Sequence, residues 1–409
     1  MRSLLTAVLV ALTGATVSAA QSPDSTRTPP PAQASPVRTS GAYMNIGFVG
    51  LMDFAWSSAK NLGALQPGDH DPHVRGFTIP NAEITLDGAV DPYFKGFANI
   101  VYKLDSNGET GVELEEMFAL TTSLPANLQI KAGQFFPEFG RQNSQHPHAW
   151  AFVDQPLVLN RMFGPDGLRS QGARISWLAP TSFYTEAMVT VMNSAGGTTS
   201  SFRSDESSEI HGGVPLARDV LQLTDMLVVP RVAASFDLND TQTLLLGASA
   251  AFGPNNSGPD AKTRIYGADV YWKWKSPRAA AGFPFVSLQG EIMSRRYDAA
   301  SRVSAEDPGI TLPAETLKDN GAYAQVLWGI KPRIVAGLRG EYASGNEAAF
   351  ESPLRAHRFR LSPNLTWYPS EYSKIRLQYN YDDRDEIGVD HSIWLQLEFL
   401  LGAHAAHKF

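Results

Sequence analysis

No cysteine occurs among the 409 residues, which excludes a disulfide framework and any thiolate metal or redox site. No apolar run reaches the roughly 18 residues that a membrane-spanning helix requires; the stretch Leu4–Leu12 is too short. Positive charge is not in excess: 34 Lys and Arg stand against 41 Asp and Glu, a net charge of −7. A nucleic-acid surface would be basic, so no nucleic-acid partner is expected. Neither a GxSxG elbow nor a phosphate-cradling glycine loop is present. Ser144, His146 and Asp154 lie close together in sequence, but proximity along a loop is not catalytic geometry. No enzyme activity and no cofactor are expected.

The N-terminus reads as a secretory signal over residues 1–20. Arg2 supplies the positive start, Leu4–Leu12 the short apolar stretch, and Val17-Ser18-Ala19-Ala20 the small residues of a cleavage site. Residues 21–40 hold Pro23, Pro29, Pro30, Pro31 and Pro36 without apolar periodicity, the character of an extended linker. The remainder, 41–409, has no second linker and reads as one unit.

Within that unit the dominant pattern has period two. In Lys374-Ile375-Arg376-Leu377-Gln378-Tyr379-Asn380-Tyr381-Asp382, polar and apolar residues alternate almost without exception. Arg358–Trp367, Asp269–Lys275 and Ser392–Phe399 repeat the pattern. Such strands have one polar and one apolar face. Sixteen candidates follow one another, from 43–56 and 74–87 to 371–382 and 390–400. Short links such as Asn239-Asp240 and Lys331-Pro332 mostly alternate with long ones such as 57–73, 136–170 and 194–225.

A soluble sandwich would explain alternation but not loops sorted by length. An all-β, transmembrane antiparallel β-barrel of about sixteen strands explains both, with short periplasmic turns, long extracellular loops and an apolar face toward lipid. Aromatic residues near the short turns are expected at the membrane interface: Tyr93, Phe94, Phe183, Tyr184, Phe283, Phe285, Trp328, Trp367 and Tyr368. Trp56 suits the opposite girdle.

The segments Ala82–Gly88 through Asp91–Phe94, then Gly111–Phe118, then Leu128–Phe135 running into Phe139-Gly140-Arg141, resemble the N-terminal half of the phosphate-selective porin family. The resemblance covers about 75–180; beyond it only barrel patterning persists. It implies a sixteen-stranded homotrimeric porin of the Gram-negative outer membrane, with a long loop folded into the pore. Outer-membrane lipid and lipopolysaccharide would surround the barrel. The barrel-assembly machinery would read the terminal strand ending in Phe409. Phosphate specificity does not carry over, because no loop holds a dense lysine cluster.

The expected function is passive diffusion of small hydrophilic solutes and ions, with an anion preference. The alternatives are a channel specific for anions such as phosphate or for a metal species, and a plugged structural or adhesin barrel. The constriction is expected in 136–170, which carries Glu138, Arg141, Asp154, Arg161, Asp166 and Arg169. Its apolar residues argue that it packs against the inner wall. Parity places Lys131, Arg174, Arg339, Arg358, Arg360, Lys374 and Arg376 on the lumen wall, with Arg333 beside them. A basic ladder opposite acidic loop residues would set selectivity. Glu116 breaks parity, so either it faces outward or the strand bulges. Histidines cluster as Asp69-His70-Asp71-Pro72-His73, His146-Pro147-His148 and His404-Ala405-Ala406-His407. None has a full ligand set by spacing, so no metal is expected; His146, His148, His404 and His407 are only weak candidates.

Overall fold

Alternation every second residue becomes a sheet with opposite faces in opposite solvents. The protein is described by a computed structural model, which covers residues 42–89, 91–104, 108–204, 208–217, 219–352 and 355–402. The expected signal peptide, the Pro-rich segment, His404, His407 and Phe409 lie outside the described residues.

The first eight strands are β1 (Tyr43–Ser57), β2 (Gly76–Ala89), β3 (Phe94–Leu104), β4 (Thr110–Thr121), β5 (Leu128–Phe135), β6 (Ser170–Leu178), β7 (Tyr184–Asn193) and β8 (Met226–Asn239). Then come β9 (Gln242–Pro254), β10 (Lys262–Ala280) and β11 (Phe283–Ala299). A two-residue hairpin, β12 (Arg302–Val303) with β13 (Thr311–Leu312), decorates the next loop. The last five are β14 (Glu315–Lys331), β15 (Ile334–Gly345), β16 (Arg358–Ser370), β17 (Ser373–Arg384) and β18 (Gly388–Gly402). Leaving the hairpin aside, sixteen strands pair antiparallel with their sequence neighbours, and β1 pairs with β18 from Gly47↔Gly402 to Ser57↔Ser392. The sheet is therefore closed and has no edge.

Its faces are inverted relative to a soluble protein. On β16, Arg358, Arg360, Ser362, Asn364 and Thr366 are buried, whereas Phe359, Leu361, Leu365 and Trp367 are exposed. β17 and β18 repeat this: Lys374, Arg376, Gln378 and Glu398 face in, and Leu377, Tyr379, Ile393, Leu395 and Leu397 face out. An apolar exterior around a charged interior is stable only when lipid surrounds it. Tyr93, Phe94, Trp328, Trp367 and Trp56 are exposed, as girdle residues are. Phe283 and Phe285 depart from expectation. Both are buried, packed with Val335, Leu327 and Tyr368.

Glu116 is resolved as a bulge. Asn99 of β3 pairs with Glu116 while Ile100 pairs with Leu114, so Glu115 is the additional residue. Glu115 and Glu116 are consequently both buried inside.

Candidate functional site

A sixteen-stranded barrel is too wide for its wall side chains to fill. Two loops enter the space. Residues 136–169 lie along β15, β16 and β17, and their irregular backbone needs partners that a regular ladder would have supplied. The wall provides them. Lys374 Nζ donates to His148 O (2.6 Å), Arg376 Nη2 to Trp150 O (2.8 Å) and Asn364 Nδ2 to Ala151 O (2.8 Å). Gln378 Oε1 accepts from Val153 N (2.9 Å), and Glu341 Oε2 from Leu157 N (2.7 Å) at the start of α2 (Leu157–Phe163).

Asp154 is the centre of this attachment. It is fully buried and ion-paired with Arg339 and, at 2.9 Å, with Arg360. Gln66 Nε2 (3.1 Å), Gln378 Nε2 (3.0 Å) and Asn380 Nδ2 (2.7 Å) also donate to it. Burial disfavours its charge, but the two guanidinium groups and these donors outweigh burial and hold its carboxyl below the ordinary range. A depressed folded pKa gives stability that is fully present above the unfolded value of about 3.9 and is lost only as pH falls through the folded value. Protease protection of 136–169 in the folded barrel should therefore not fall between pH 7 and pH 4.5. Release of the loop within that window would contradict this electrostatic account.

The other side of the loop is fastened to β9–β11. Gly140 N donates to Ser249 Oγ (3.1 Å), and Arg141 N (3.0 Å) and Gln142 N (2.8 Å) share Glu291 Oε1. Gly140 has φ +64°, and a Cβ there would collide with the Glu291 carboxylate, so this approach requires glycine. The Arg141 guanidinium lies 4.2 Å from the Tyr271 ring centroid. Glu138 pairs with Lys131 (3.1 Å) and with Arg174. Between these attachments Phe139, Val158, Leu159, Met162, Phe163 and Leu168 pack onto Met192, Val229, Ile265, Met293 and Tyr323.

Residues 58–75 also fold inward, which the sequence reading did not foresee. Their short helix α1 (Leu62–Leu65) packs with Val153 and Trp394. Leu65 O accepts from Arg358 (2.5 Å) and Arg360 (2.8 Å). The signal was Leu62 and Leu65 in a long link, the same apolar content that marked 136–170.

The expected wall residues lie inside, but the basic ladder is not free. Arg339 also pairs with Glu341 (2.7 Å), Arg358 (2.7 Å) and Arg360 (2.9 Å) with Asp382, and Lys374 with Glu398 (2.6 Å). Their partners lie beside them on the wall or in the docked loop. Arg333 does not face the lumen: it sits in the β14–β15 turn and donates to Pro369 O (2.9 Å).

Asp166 and Arg169 pair with each other (2.6 Å) near β4. His146 Nδ1 is 2.7 Å from Glu115 and its Nε2 2.9 Å from Glu116; His148 Nδ1 is 3.0 Å from Glu83. Burial opposes charging of His146, yet its two carboxylate neighbours raise its pKa well above the ordinary imidazole value.

Outside the docked loop is a cavity of about 500 Å³ lined by Arg161, Arg295, Arg355, Arg358 and Arg384, with His357 and Glu209. Behind it, Asp319 is shared by three of these arginines: Arg295 (2.7 Å), Arg355 (3.5 Å) and Arg161 (3.6 Å). One carboxylate among three guanidinium groups leaves positive charge over. Burial and the neighbouring arginines push Arg161 down to about 10, still protonated at neutral pH.

Known structures share this barrel. The outer membrane channel DcaP of Acinetobacter baumannii superposes with a TM-score of 0.56 at 12% identity, covering 89% of this chain and 98% of that one. The outer membrane protein OmpT of Vibrio cholerae, in its trimer form, gives 0.51 at 8% identity, covering 88% of this chain and 100% of that one. OprB of Pseudomonas putida gives 0.51 at 11%, covering 88% and 94%. At such identities the likeness concerns the fold. No family model matches the chain. An uncharacterized protein of Aquifex aeolicus is 32% identical over 363 residues, 82% of this chain and 70% of that protein, and this chain belongs to the same family.

Proposed function

We propose that this chain is an outer-membrane porin through which small hydrophilic solutes diffuse, with 136–169 narrowing the lumen and the arginine-lined vestibule favouring anions. The observation that carries the reading is the loop held inside the barrel by Asp154, with five arginines opening onto the cavity beside it. The exposed apolar exterior supports a lipid surround. A cleaved signal over 1–20, assembly through the strand ending in Phe409 and a homotrimeric state complete the proposal. Phosphate is one candidate within the anion class, on the resemblance over 75–180.

The test is single-channel recording of the refolded mature chain in a planar bilayer across a salt gradient. Stepwise conductance with an anion-selective reversal potential is the expected result. No conductance from a folded barrel would overturn the porin reading and favour a plugged barrel. A cation-selective reversal potential would overturn the anion preference alone.

A further inference from the structure

Where the first long loop meets β4, the lumen holds a second arrangement that the Asp154 attachment does not use. His70 from the first long loop, Glu115 from the β4 bulge and Asp166 from the third long loop converge there. His70 Nε2 lies 3.1 Å from Asp166 Oδ1 and 3.5 Å from Glu115 Oε1, and the three atoms all lie within 4.8 Å of one another. The three side chains are 4%, 2% and 9% exposed. We propose that His70, Glu115 and Asp166 bind a divalent transition-metal cation of the zinc class, which clasps both inner loops to β4.

Three features support a cation. First, the spacing is close to a metal site. Zinc bonds of about 2.0–2.2 Å in a tetrahedron place ligand atoms about 3.3–3.6 Å apart, and the two His70 separations are 3.1 and 3.5 Å. Second, an imidazole N–H has one hydrogen and cannot donate well to two carboxylates at once, whereas a cation at that point satisfies both. Third, the carboxylates are oriented from behind. Glu115 Oε2 is held by His146 Nδ1 (2.7 Å) and Asn99 Nδ2 (2.6 Å), and Asp166 Oδ2 by Arg169 Nη2 (2.6 Å). In each case the remaining oxygen is the one nearest His70. Partners of this kind orient metal ligands and tune their basicity. His70 Nδ1 is itself buried and has no partner among the described residues.

The charge balance points the same way. Around the three ligands lie Asp69, Glu83, Glu113 and Glu116, while Lys103 and Arg169 are the permanent cations in contact with this group. Six buried or half-buried carboxylates facing two such cations require protons on the histidines or a bound cation. One nitrogen and two carboxylate oxygens suit zinc and its neighbours better than calcium, which prefers oxygen alone. The sequence reading named His146 and His148 as the weak candidates in this region. The structure engages both with glutamates and leaves His70 as the ligand.

Binding is measured on the detergent-refolded full chain, stripped with EDTA and titrated with ZnCl2 by calorimetry, so the outcome does not depend on whether the barrel conducts. The expected result is one tight site per chain, weakened at least about 100-fold by His70→Ala and unchanged by the double variant His404→Ala/His407→Ala. An unaltered site in His70→Ala, or no binding below millimolar zinc, would overturn the proposal. Cobalt loading of the unaltered chain gives a readout that no variant's folding can obscure. Intense visible bands of four-coordinate cobalt support the site; only weak six-coordinate bands count against it.

Discussion

Asp154→Ala should release the inner loop and raise single-channel conductance while the barrel stays folded. Asp154 is fully buried, and it accepts from two arginines on β15 and β16, two side-chain amides on β17 and one in the first inner loop. Removing one member of a buried ionic group costs about 3–5 kcal/mol, chiefly because the remaining charges lose their partner. Here the loss is tempered, since Arg339 keeps Glu341 and Arg360 keeps Asp382. The sixteen-strand ladder does not pass through Asp154, so the cost falls on docking of the loop. A loss of about 4 kcal/mol changes the docked-to-released ratio by about 10³-fold. The variant should run as a folded, heat-modifiable barrel, conduct more and with more noise, and expose 136–169 to protease. Asp154→Asn keeps the shape and some hydrogen bonds, so it should fall between. An Asp154→Ala barrel with unchanged conductance and unchanged protection would show that the apolar face of α2 holds the loop without the ionic centre.

The barrel itself was legible because each wall strand separates two solvents, and that contrast imprints period two on the sequence. All sixteen expected strands are present, with ends shifted by a few residues; β10 runs on to Ala280 at its short turn with β11, and β11 runs on to Ala299 at the long-loop end. Local exceptions were less legible. The bulge at Glu115 depends on the register of β3 against β4, which no single strand encodes. Phe283 and Phe285 sit beside a short turn, where aromatics suggest the girdle, but they share the parity of the inward-facing Gln289 and Glu291 and fill the interior. In the loop, Asp154 was a named candidate and Arg339 and Arg360 were named wall residues. That the three meet is a property of closure, since β15 and β16 come roughly two hundred residues after Asp154. Of the residues expected as a basic ladder, Arg339, Lys374 and Arg376 donate to the backbone of 136–169. The positive vestibule was legible only in part. Of its five arginines, Arg161 and Arg358 were singled out, whereas Arg295, Arg355 and Arg384 come from separate elements that only the closed barrel brings to one cavity.

That cavity carries the second large effect. Arg161→Gln combined with Arg384→Gln should shift the reversal potential toward cations with little change in folding. Neither substitution strands a buried acid: Asp319 keeps Arg295 and Arg355, and Asp390 keeps a hydrogen bond from Ser58 Oγ (2.9 Å). A solute anion about 8 Å from one guanidinium gains about 2 kcal/mol at an effective dielectric near 20. Two such charges therefore alter anion occupancy of the vestibule by at least about tenfold before screening. Screening sets the conditions of the measurement. The Debye length is about 10 Å at 0.1 M salt but only about 3 Å at 1 M, so the shift should be clear in dilute gradients and largely lost in concentrated ones. A salt-dependent loss of anion preference in the double variant would place these arginines on the permeation path. An unchanged reversal potential in dilute salt would mean that solutes pass elsewhere and that the excess positive charge serves only to hold the loops around Asp319.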